Sequence, residues 1–270
     1  MTKRRGKNKI NFTSEMKINV IYFAFLSVCI IFAIDMEMNR IFVVLLLILC
    51  PLCIHAQNYY GVQCEDTCNH IHGLDMSHYQ GDVWWETLGA NNHMAYVYFK
   101  ATEGKETQDA TYKHNIELAH RYGLKVGSYH FYHANVPQQL QLRNFMSQCR
   151  PGDQDLIPMI DVETKPKNMS RSQFRDSLMT FLLLVEEAYH QKPLVYAGTN
   201  FYNKNLVGLL DDYKLMIAQY SENEPQLADD RDYIIWQYTG KGRINGVSTY
   251  VDKSRIMGQH SMRELKFQRW

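Results

Sequence analysis

The chain opens with two apolar runs and then changes character. Ile18–Ile34 and Ile41–Ile54 are almost unbroken hydrophobic stretches, whereas polar and apolar positions mix throughout the chain after Gln57. Apolar runs at a chain start are typical of targeting segments rather than of a folded core. We therefore expect residues 1–56 to be a targeting region and residues 57–69 a short N-terminal extension of the folded body.

Two interpretations of the targeting region remain open. If translation starts at Met38, the segment has the three parts of a signal peptide. They are the basic Arg40, the apolar core Phe42–Leu49 and the small Ala56 before a cleavage site. If the first residue is the true start, Ile18–Ile34 is a membrane anchor, somewhat short of the roughly 20 residues that a bilayer requires. The fuller set of signals favours the signal peptide. Both interpretations predict a protein that is secreted, periplasmic or held at the cell envelope.

After residue 70, short strand-like runs alternate with segments of helical period, which predicts βα units around a parallel sheet. A capping box and apolar residues at helical spacing predict a helix over Arg171–His190. A second helix is expected over Asp109–Tyr122, where Gly123 provides the stop. The eight predicted strands are Ile71–Ser77, Met94–Ala101, Lys125–Tyr132, Leu156–Glu163, Pro193–Ala197, Lys214–Tyr220, Tyr233–Tyr238 and Tyr250–Ile256.

Eight strands of this size suit a single α/β domain, an irregular TIM-like β/α barrel over residues 70–260, followed by a C-terminal tail over residues 261–270. A doubly wound open sheet is the alternative, because periodicity does not show whether a sheet closes on itself. No internal repeat or low-complexity linker indicates a second domain.

Charge and cysteine content narrow the function classes. The 270 residues carry a formal net charge of +1, and no basic stripe occurs beyond the extreme N-terminus, so nucleic acid is not an expected partner. Of six cysteines, Cys64, Cys68 and Cys149 follow the targeting region. Either the first two pair and the third is a buried thiol, or all three are free. No Cys/His set has zinc-binding spacing, so we expect no metal site. We expect the protein to be a monomer.

Acidic residues at the ends of predicted strands are the candidates for chemistry, because the carboxyl ends of barrel strands meet at the active-site face. Leu156–Glu163 ends in Asp161 and Glu163, which strand alternation places on one face. Repulsion between two such carboxylates raises the pKa of one and keeps it protonated, as a general acid requires. An equally weighted structural alternative has Asp161 capping a turn and Glu163 paired with Lys165 or Lys167.

Other predicted strands deliver polar groups to the same end. Asp75 closes the first strand and is expected to point into the barrel mouth, with capping of the next helix as the alternative. Lys100 and Glu103 close the second strand, either as substrate contacts or as a supporting ion pair. Tyr129 lies in a third strand rich in aromatic and imidazole rings, which suits sugar recognition although strand aromatics more often belong to the core.

These segments occur in an order that resembles the glycoside hydrolase family 25 lysozymes, the Chalaropsis-type muramidases, from about Ile71 to Ile256. Each segment is a weak signal alone, and the ordered set is specific. The matching segments are Gly73–Gly81, Phe99–Gly104, Gly127–Tyr132, Ile160–Glu163, Ile217–Tyr220, Trp236–Tyr238 and Val251–Asp252.

The resemblance implies an irregular β/α barrel that hydrolyses the β-1,4 bond between N-acetylmuramic acid and N-acetylglucosamine in peptidoglycan, without a metal or organic cofactor. By position, it implies that Glu163 is the acid. It implies three further acidic site residues, Asp75, Asp161 and Asp252, and four aromatic groove residues, Tyr129, Tyr196, Tyr220 and Trp236. Two positions depart from the family pattern: Met216, where Trp is frequent, and Lys253-Ser254, where Leu-Asn is common.

Two functions of other classes compete with this interpretation. A peptidoglycan-binding module could keep the barrel and lack catalysis, although intact acids at Asp75, Asp161 and Glu163 argue against it. A metal-dependent polysaccharide deacetylase would need an Asp and two His as ligands, for which His130 and His133 are not convincingly placed.

Overall fold

The computed structural model describes residues 70–91, 93–258 and 260–269. In these ranges the helices are α1 (Trp85–Gly89), α2 (Tyr112–Arg121), α3 (Gln138–Gln148), α4 (Arg171–Tyr189) and α5 (Thr199–Asn205). The strands are β1 (His72–Met76), β2 (Met94–Glu103), β3 (Thr107–Gln108), β4 (Lys125–Phe131), β5 (Met159–Asp161), β6 (Leu194–Gly198), β7 (Leu215–Ala218), β8 (Ile235–Ile244) and β9 (Val247–Ile256).

Eight of the strands in the described ranges close into a barrel. Their order is β1, β9, β8, β7, β6, β5, β4, β2, and a parallel pairing of β1 with β2 completes the ring. The two-residue β3, which the sequence did not predict, lies antiparallel on the end of β2. Strand β9 runs antiparallel to both β1 and β8, so the barrel is mixed rather than all parallel. The closed ring excludes the open-sheet alternative.

Strand alternation divides the apolar side chains into two layers. One layer fills the barrel interior with residues such as Tyr96, Tyr98 and Met216, and the larger one lies between the strands and the helices. Gly73 is needed in β1 because a Cβ there would lie 2.1 Å from the ring of Tyr96. The absence of a side chain therefore allows a tyrosine to cross the interior.

The predicted helices are present with small changes at their ends. In α4 the capping box of Ser170 and Gln173 is formed, and the apolar stripe that includes Phe174 and Leu178 is fully buried. Helix α2 starts at Tyr112 rather than three residues earlier, because the Asp109 carboxylate accepts hydrogen bonds from the backbone and hydroxyl of Thr111 and so ends the preceding turn.

The strand predicted over Leu156–Glu163 is shorter in the structure. Pro158 lacks an N–H to donate to a ladder, and the preceding Ile157 N–H donates to the carbonyl of Leu265. The C-terminal segment thus pairs with this stretch: it forms a 3-10 helix over Met262–Leu265 and buries Leu265 in the interior layer. Residues 261–269 therefore pack against the amino-terminal end of β5.

Several sequence predictions fall on residues 1–69, outside the described ranges. They include the signal peptide or anchor, the N-terminal extension and the Cys64–Cys68 pairing. Cys149 is buried with a free thiol, and burial raises the pKa of that thiol to about 12. No helix among the described residues is long and apolar enough to cross a bilayer.

Candidate active site

A cavity of about 340 Å³ opens where the strands of the barrel end, and it collects the acids that the sequence singled out. Asp161 and Glu163 both line it, as the two-residue spacing predicted, and so do Asp75 and Asp252. Four carboxyl groups therefore share one cavity. Three lie on the strands β1, β5 and β9, and that of Glu163 lies two residues beyond the end of β5.

Asp75 is buried on the interior face of β1. Its Cα is paired with that of Asp252 on the antiparallel strand β9. Gln237 Nε2 donates to Asp75 Oδ2 over 2.9 Å, whereas Oδ1 has no hydrogen-bond partner among the described residues. Burial, and then the nearby Asp252 charge, raise the pKa of Asp75 to about 8 against the opposing hydrogen bond from Gln237. Asp75 does not cap the following turn, which Ser77 caps instead.

Asp161 and Glu163 differ in exposure. Asp161 is buried, and its Oδ1 also lacks a hydrogen-bond partner among the described residues. Burial, followed by the charges of Glu163 and Asp75, raises the pKa of Asp161 well above its ordinary value. Glu163 is exposed as a residue, and partial burial of its carboxyl raises its pKa, while Tyr196 and Lys100 act in the opposite direction.

The structural alternative for Glu163 is not supported by its neighbours. Lys165 donates from Nζ to the carbonyl oxygens of Pro166 and Met169 rather than pairing with Glu163. The remaining acid, Asp252, has its pKa raised to about 6 by burial and then by the charge of Glu163. The carboxyl cluster therefore retains protons at a pH where isolated carboxyls would have lost them.

Lys100 is the only lysine or arginine among the described residues that lines this cavity. Its Nζ lies 2.6 Å from Glu103 Oε2, and His133 Nε2 lies 2.9 Å from Glu103 Oε1. Burial alone would raise the pKa of Glu103, but these two partners lower it overall. Glu103 does not line the cavity. Of the two sequence interpretations, the geometry favours a supporting ion pair that holds Lys100.

Three of the four predicted aromatic residues line a cavity, and the fourth does not. Tyr129 and Tyr196 line the first cavity, and Tyr220, which is 61% exposed, lines a second one. Trp236 lies on the opposite face of β8, in the layer between strands and helices, where its Nε1 donates to the carbonyl of Gln219. Its indole therefore does not contribute to the groove.

The second cavity measures about 580 Å³ and adjoins the first. Glu163 and Tyr196 line both cavities. The other walls of the second cavity come from the start of α5, including Asn200, and from the end of β7, including Gln219. Glu163 thus lies at the junction of a groove that extends to both sides of it.

Gln237 is the site residue that the sequence interpretation missed. It is buried on the interior face of β8, and its Oε1 accepts hydrogen bonds from Tyr196 over 2.9 Å and Tyr220 over 2.8 Å. The segment Trp236–Tyr238 was matched as a block, without division by strand face. Period-two alternation places Gln237 inside and Trp236 outside, and that signal was present in the sequence.

The histidines considered for a metal site do not face this cavity. His130 is buried on the outer face of β4, where Thr102 Oγ1 lies 2.7 Å from its Nδ1, and burial lowers its pKa to about 4. His133 is paired with Glu103. No group of three His, Cys, Asp or Glu in the described ranges is arranged to hold a metal ion. The deacetylase interpretation thereby loses the ligands that it required.

Comparisons of the sequence and of the structure with known proteins point to the same family. The family model described as glycosyl hydrolases family 25 matches residues 74–247, a range that includes Glu163 and ends before Asp252. The autolytic lysozyme of Clostridium acetobutylicum is 32% identical over 183 residues, which cover 67% of this chain and 54% of that protein. The uncharacterized protein YegX of Escherichia coli (strain K12) is 29% identical over 186 residues, covering 67% of this chain and 68% of that protein. A family 25 glycosyl hydrolase structure from Bacillus anthracis matches with a TM-score of 0.67 and 27% identity, covering 76% of this chain and 100% of that chain.

Proposed function

We propose, from the premise that the chain belongs to family 25 of the glycosyl hydrolases, that Glu163 is the general acid of a muramidase. The enzyme hydrolyses the β-1,4 bond between N-acetylmuramic acid and N-acetylglucosamine in bacterial peptidoglycan. The observation that carries the assignment of the acid is the position of Glu163, since it borders both cavities of the groove and its pKa is raised.

Glu163 acts first as a proton donor. A raised pKa keeps the carboxyl protonated closer to neutral pH, as a general acid requires. As the bond between C1 and the glycosidic oxygen breaks, the proton of Glu163 passes to that oxygen, so the leaving sugar departs as an alcohol. Glu163 is then a carboxylate and is ready to accept a proton in the second step.

The positive charge that develops on the sugar ring needs a stabilising group. In the substrate-assisted course, the 2-acetamido oxygen of the bound sugar bonds to C1. Asp161 or Asp75 stabilises the cation through the dipole of its carboxyl group, since a pKa of about 8 leaves Asp75 mostly protonated at neutral pH. Water then attacks C1 and gives a proton to Glu163, while the bond between C1 and the acetamido oxygen breaks and the acetamido group is restored. The product therefore keeps its configuration. Asp252 supplies negative charge, because a pKa of about 6 leaves it mostly ionised at neutral pH. Capture of a sugar covalently bonded to Asp75 or Asp161 would contradict this course.

The two cavities provide room for sugars on either side of the cleaved bond. Tyr196 lies at their junction, and the exposed ring of Tyr220 offers the amphipathic face that sugar recognition uses. In this proposal the first cavity holds the sugar whose C1 reacts, because it contains the carboxyl cluster. The second cavity holds the leaving side.

Export and assembly state are parts of the same proposal. The substrate lies outside the cytoplasmic membrane, so residues 1–56 carry the export signal, either removed before Gln57 or retained as a membrane tether. A single copy suffices, since residues of one chain line the groove of the irregular TIM-like barrel. Mass spectrometry of the exported protein tests the first point: an N-terminal peptide that begins at Gln57 supports cleavage, and peptides that contain Ile18–Ile34 support the tether.

The assignment of the acid is tested by measuring the reducing ends that are released from purified peptidoglycan. Glu163→Gln is compared with wild type and with Glu187→Gln, a matched change at an exposed position of α4. Loss of a general acid costs about 10²–10⁴ in rate, so we expect that loss only in Glu163→Gln. A wild-type protein that sediments with peptidoglycan but releases no reducing ends would instead support the binding module.

A further inference from the structure

Gln237 connects four elements of the barrel through one side chain. It lies on β8 and reaches past the neighbouring β9 to Asp75 on β1, with 2.9 Å between Nε2 and Oδ2. Its Oε1 receives the hydroxyl groups of Tyr196 from β6 and Tyr220 from beyond β7. Gln237 is 2% exposed, so all three hydrogen bonds are made by a buried amide.

The bond to Asp75 is the only hydrogen bond that the described residues give to that carboxyl, because its Oδ1 has none. Removing the amide would leave a buried carboxyl without any partner, and such groups are costly. The titratable groups that act on Asp75 from neighbouring elements carry negative charge or none. They are Asp252, Asp161, Tyr96, Tyr98, Tyr129, Tyr196 and Tyr220. Gln237 is therefore the group that opposes the protonation of Asp75.

The same amide acts on Glu163 through Tyr196. A tyrosine hydroxyl has one proton to donate. The Tyr196 hydroxyl gives it to Gln237 Oε1 over 2.9 Å, and Tyr196 also lowers the pKa of the nearby Glu163 carboxyl. While Gln237 accepts that proton, Glu163 does not receive it. Lys100, Asp252 and Asp161 are the other charged groups that interact with Glu163.

We propose that Gln237 is a positioning residue of the muramidase: its amide holds Asp75, Tyr196 and Tyr220 in one hydrogen-bonded arrangement around the acid Glu163. This inference rests on the proposed function, and it adds a residue that touches no reacting atom. Gln237 acts on the reaction only through the residues that it orients.

The substitution Gln237→Met keeps the length of the side chain and removes both polar atoms. The pKa of Asp75 then rises, because the hydrogen bond that lowers it is gone. The pKa of Glu163 falls, because Tyr196 donates to it without competition. We expect kcat to fall about tenfold, equivalent to about 1.4 kcal/mol, while KM changes less. A merely structural role would lower stability and leave both titrations unmoved.

The direct test is a carbon-13 NMR titration of the full chain labelled at aspartate carboxyl carbons, in which Asp75→Asn identifies the Asp75 signal. We expect the Asp75 midpoint in Gln237→Met to lie above the wild-type midpoint by about half a unit or more. The matched control is Gln154→Leu, which removes another fully buried glutamine, bonded to Ser128 and Tyr112 away from the cavity. It should lose stability without moving the Asp75 midpoint.

Two further variants keep the test decisive. Tyr220→Phe removes one donor from Gln237 Oε1 by a change at an exposed position, so it can be tested even if Gln237→Met does not fold. The Asp75 midpoint in Tyr220→Phe should also rise, by less than in Gln237→Met. Gln237→Glu restores a donor to Asp75 only when protonated, so its activity relative to Gln237→Met should increase as pH falls.

An unchanged Asp75 midpoint in both Gln237→Met and Tyr220→Phe, or an equal shift in Gln154→Leu, would overturn the proposal. The titration does not require turnover. If peptidoglycan is not hydrolysed while the midpoints shift as expected, the proposed function fails and the positioning role of the amide stands.

Discussion

Asp75→Asn should make the protein more stable while it removes function, and the gain should depend on pH. The carboxyl has its pKa raised from 3.8 to about 8 by burial. The folded state thus holds a proton that the unfolded chain releases above pH 3.8. Between these two values stability falls as pH rises, because ionised Asp75 is favoured only in the unfolded chain.

The magnitude follows from the shift. At pH 7 about 3.2 units separate the pH from the unfolded value, and each unit corresponds to about 1.4 kcal/mol. Asparagine has nearly the same shape and an oxygen that accepts the hydrogen bond from Gln237, but it has no proton to lose. The variant should therefore exceed wild type by about 4 kcal/mol in free energy of unfolding at pH 7. The difference should shrink towards zero near pH 4 and stop growing near pH 8.

The assay is urea denaturation of both proteins at several pH values between 4 and 9, followed by tryptophan fluorescence. Asp252→Asn is the comparator, because the pKa of Asp252 is raised only to about 6 and its advantage should stop growing near that pH. A difference between Asp75→Asn and wild type that stays constant over the whole pH range would refute the argument that burial protonates Asp75.

Two other predictions test the packing and the charge of the site. Gly73→Ala places a Cβ 2.1 Å from the Tyr96 ring and should lower the free energy of unfolding by about 1–3 kcal/mol or more, measured by thermal denaturation. Gly152→Ala, where a Cβ meets nothing within 4 Å, should change it by less than about 0.5 kcal/mol. Equal losses of stability in the two variants would contradict the close approach of Gly73 to Tyr96. Lys100→Met removes the charge that lowers the pKa of Glu163, so the alkaline limb of the pH profile of hydrolysis should move to higher pH, and a limb that moves down would count against Glu163 as the acid.

The parts of the fold with a regular period were predictable from the sequence. Helix α4 shows a capping box and an apolar stripe that period 3.6 reveals, and it begins at Arg171 as predicted. The hairpin of β8 and β9 was the largest error, since the predictions ended at Tyr238 and began again at Tyr250. Its outer part extends beyond the barrel and exposes polar residues, so the apolar alternation that marks a buried strand is absent there. Nothing in a single strand's pattern indicates that β9 runs antiparallel.

The position of the acids that line the cavity was predictable for a different reason. A carboxyl at the end of an apolar strand is costly unless it faces a functional cavity, and Asp75, Asp161 and Glu163 all follow this rule. Trp236 and Gln237 were not distinguished, because the segment Trp236–Tyr238 was matched as a block, although period-two alternation separates the two residues by strand face. The ion pair of Lys100 and Glu103 was one of two interpretations of the sequence, and the contact of His133 with Glu103, which favours it, depends on how β2 and β4 are placed side by side.

The measurement that tests the central claim most directly identifies the bond that is cut. Purified peptidoglycan is digested with wild type and with Glu163→Gln, the products are reduced with borohydride, and the new ends are identified by mass. The account predicts muramitol ends from wild type and none above background from the variant. Glucosaminitol ends, or equal muramitol release by the variant, would contradict a muramidase in which Glu163 is the acid.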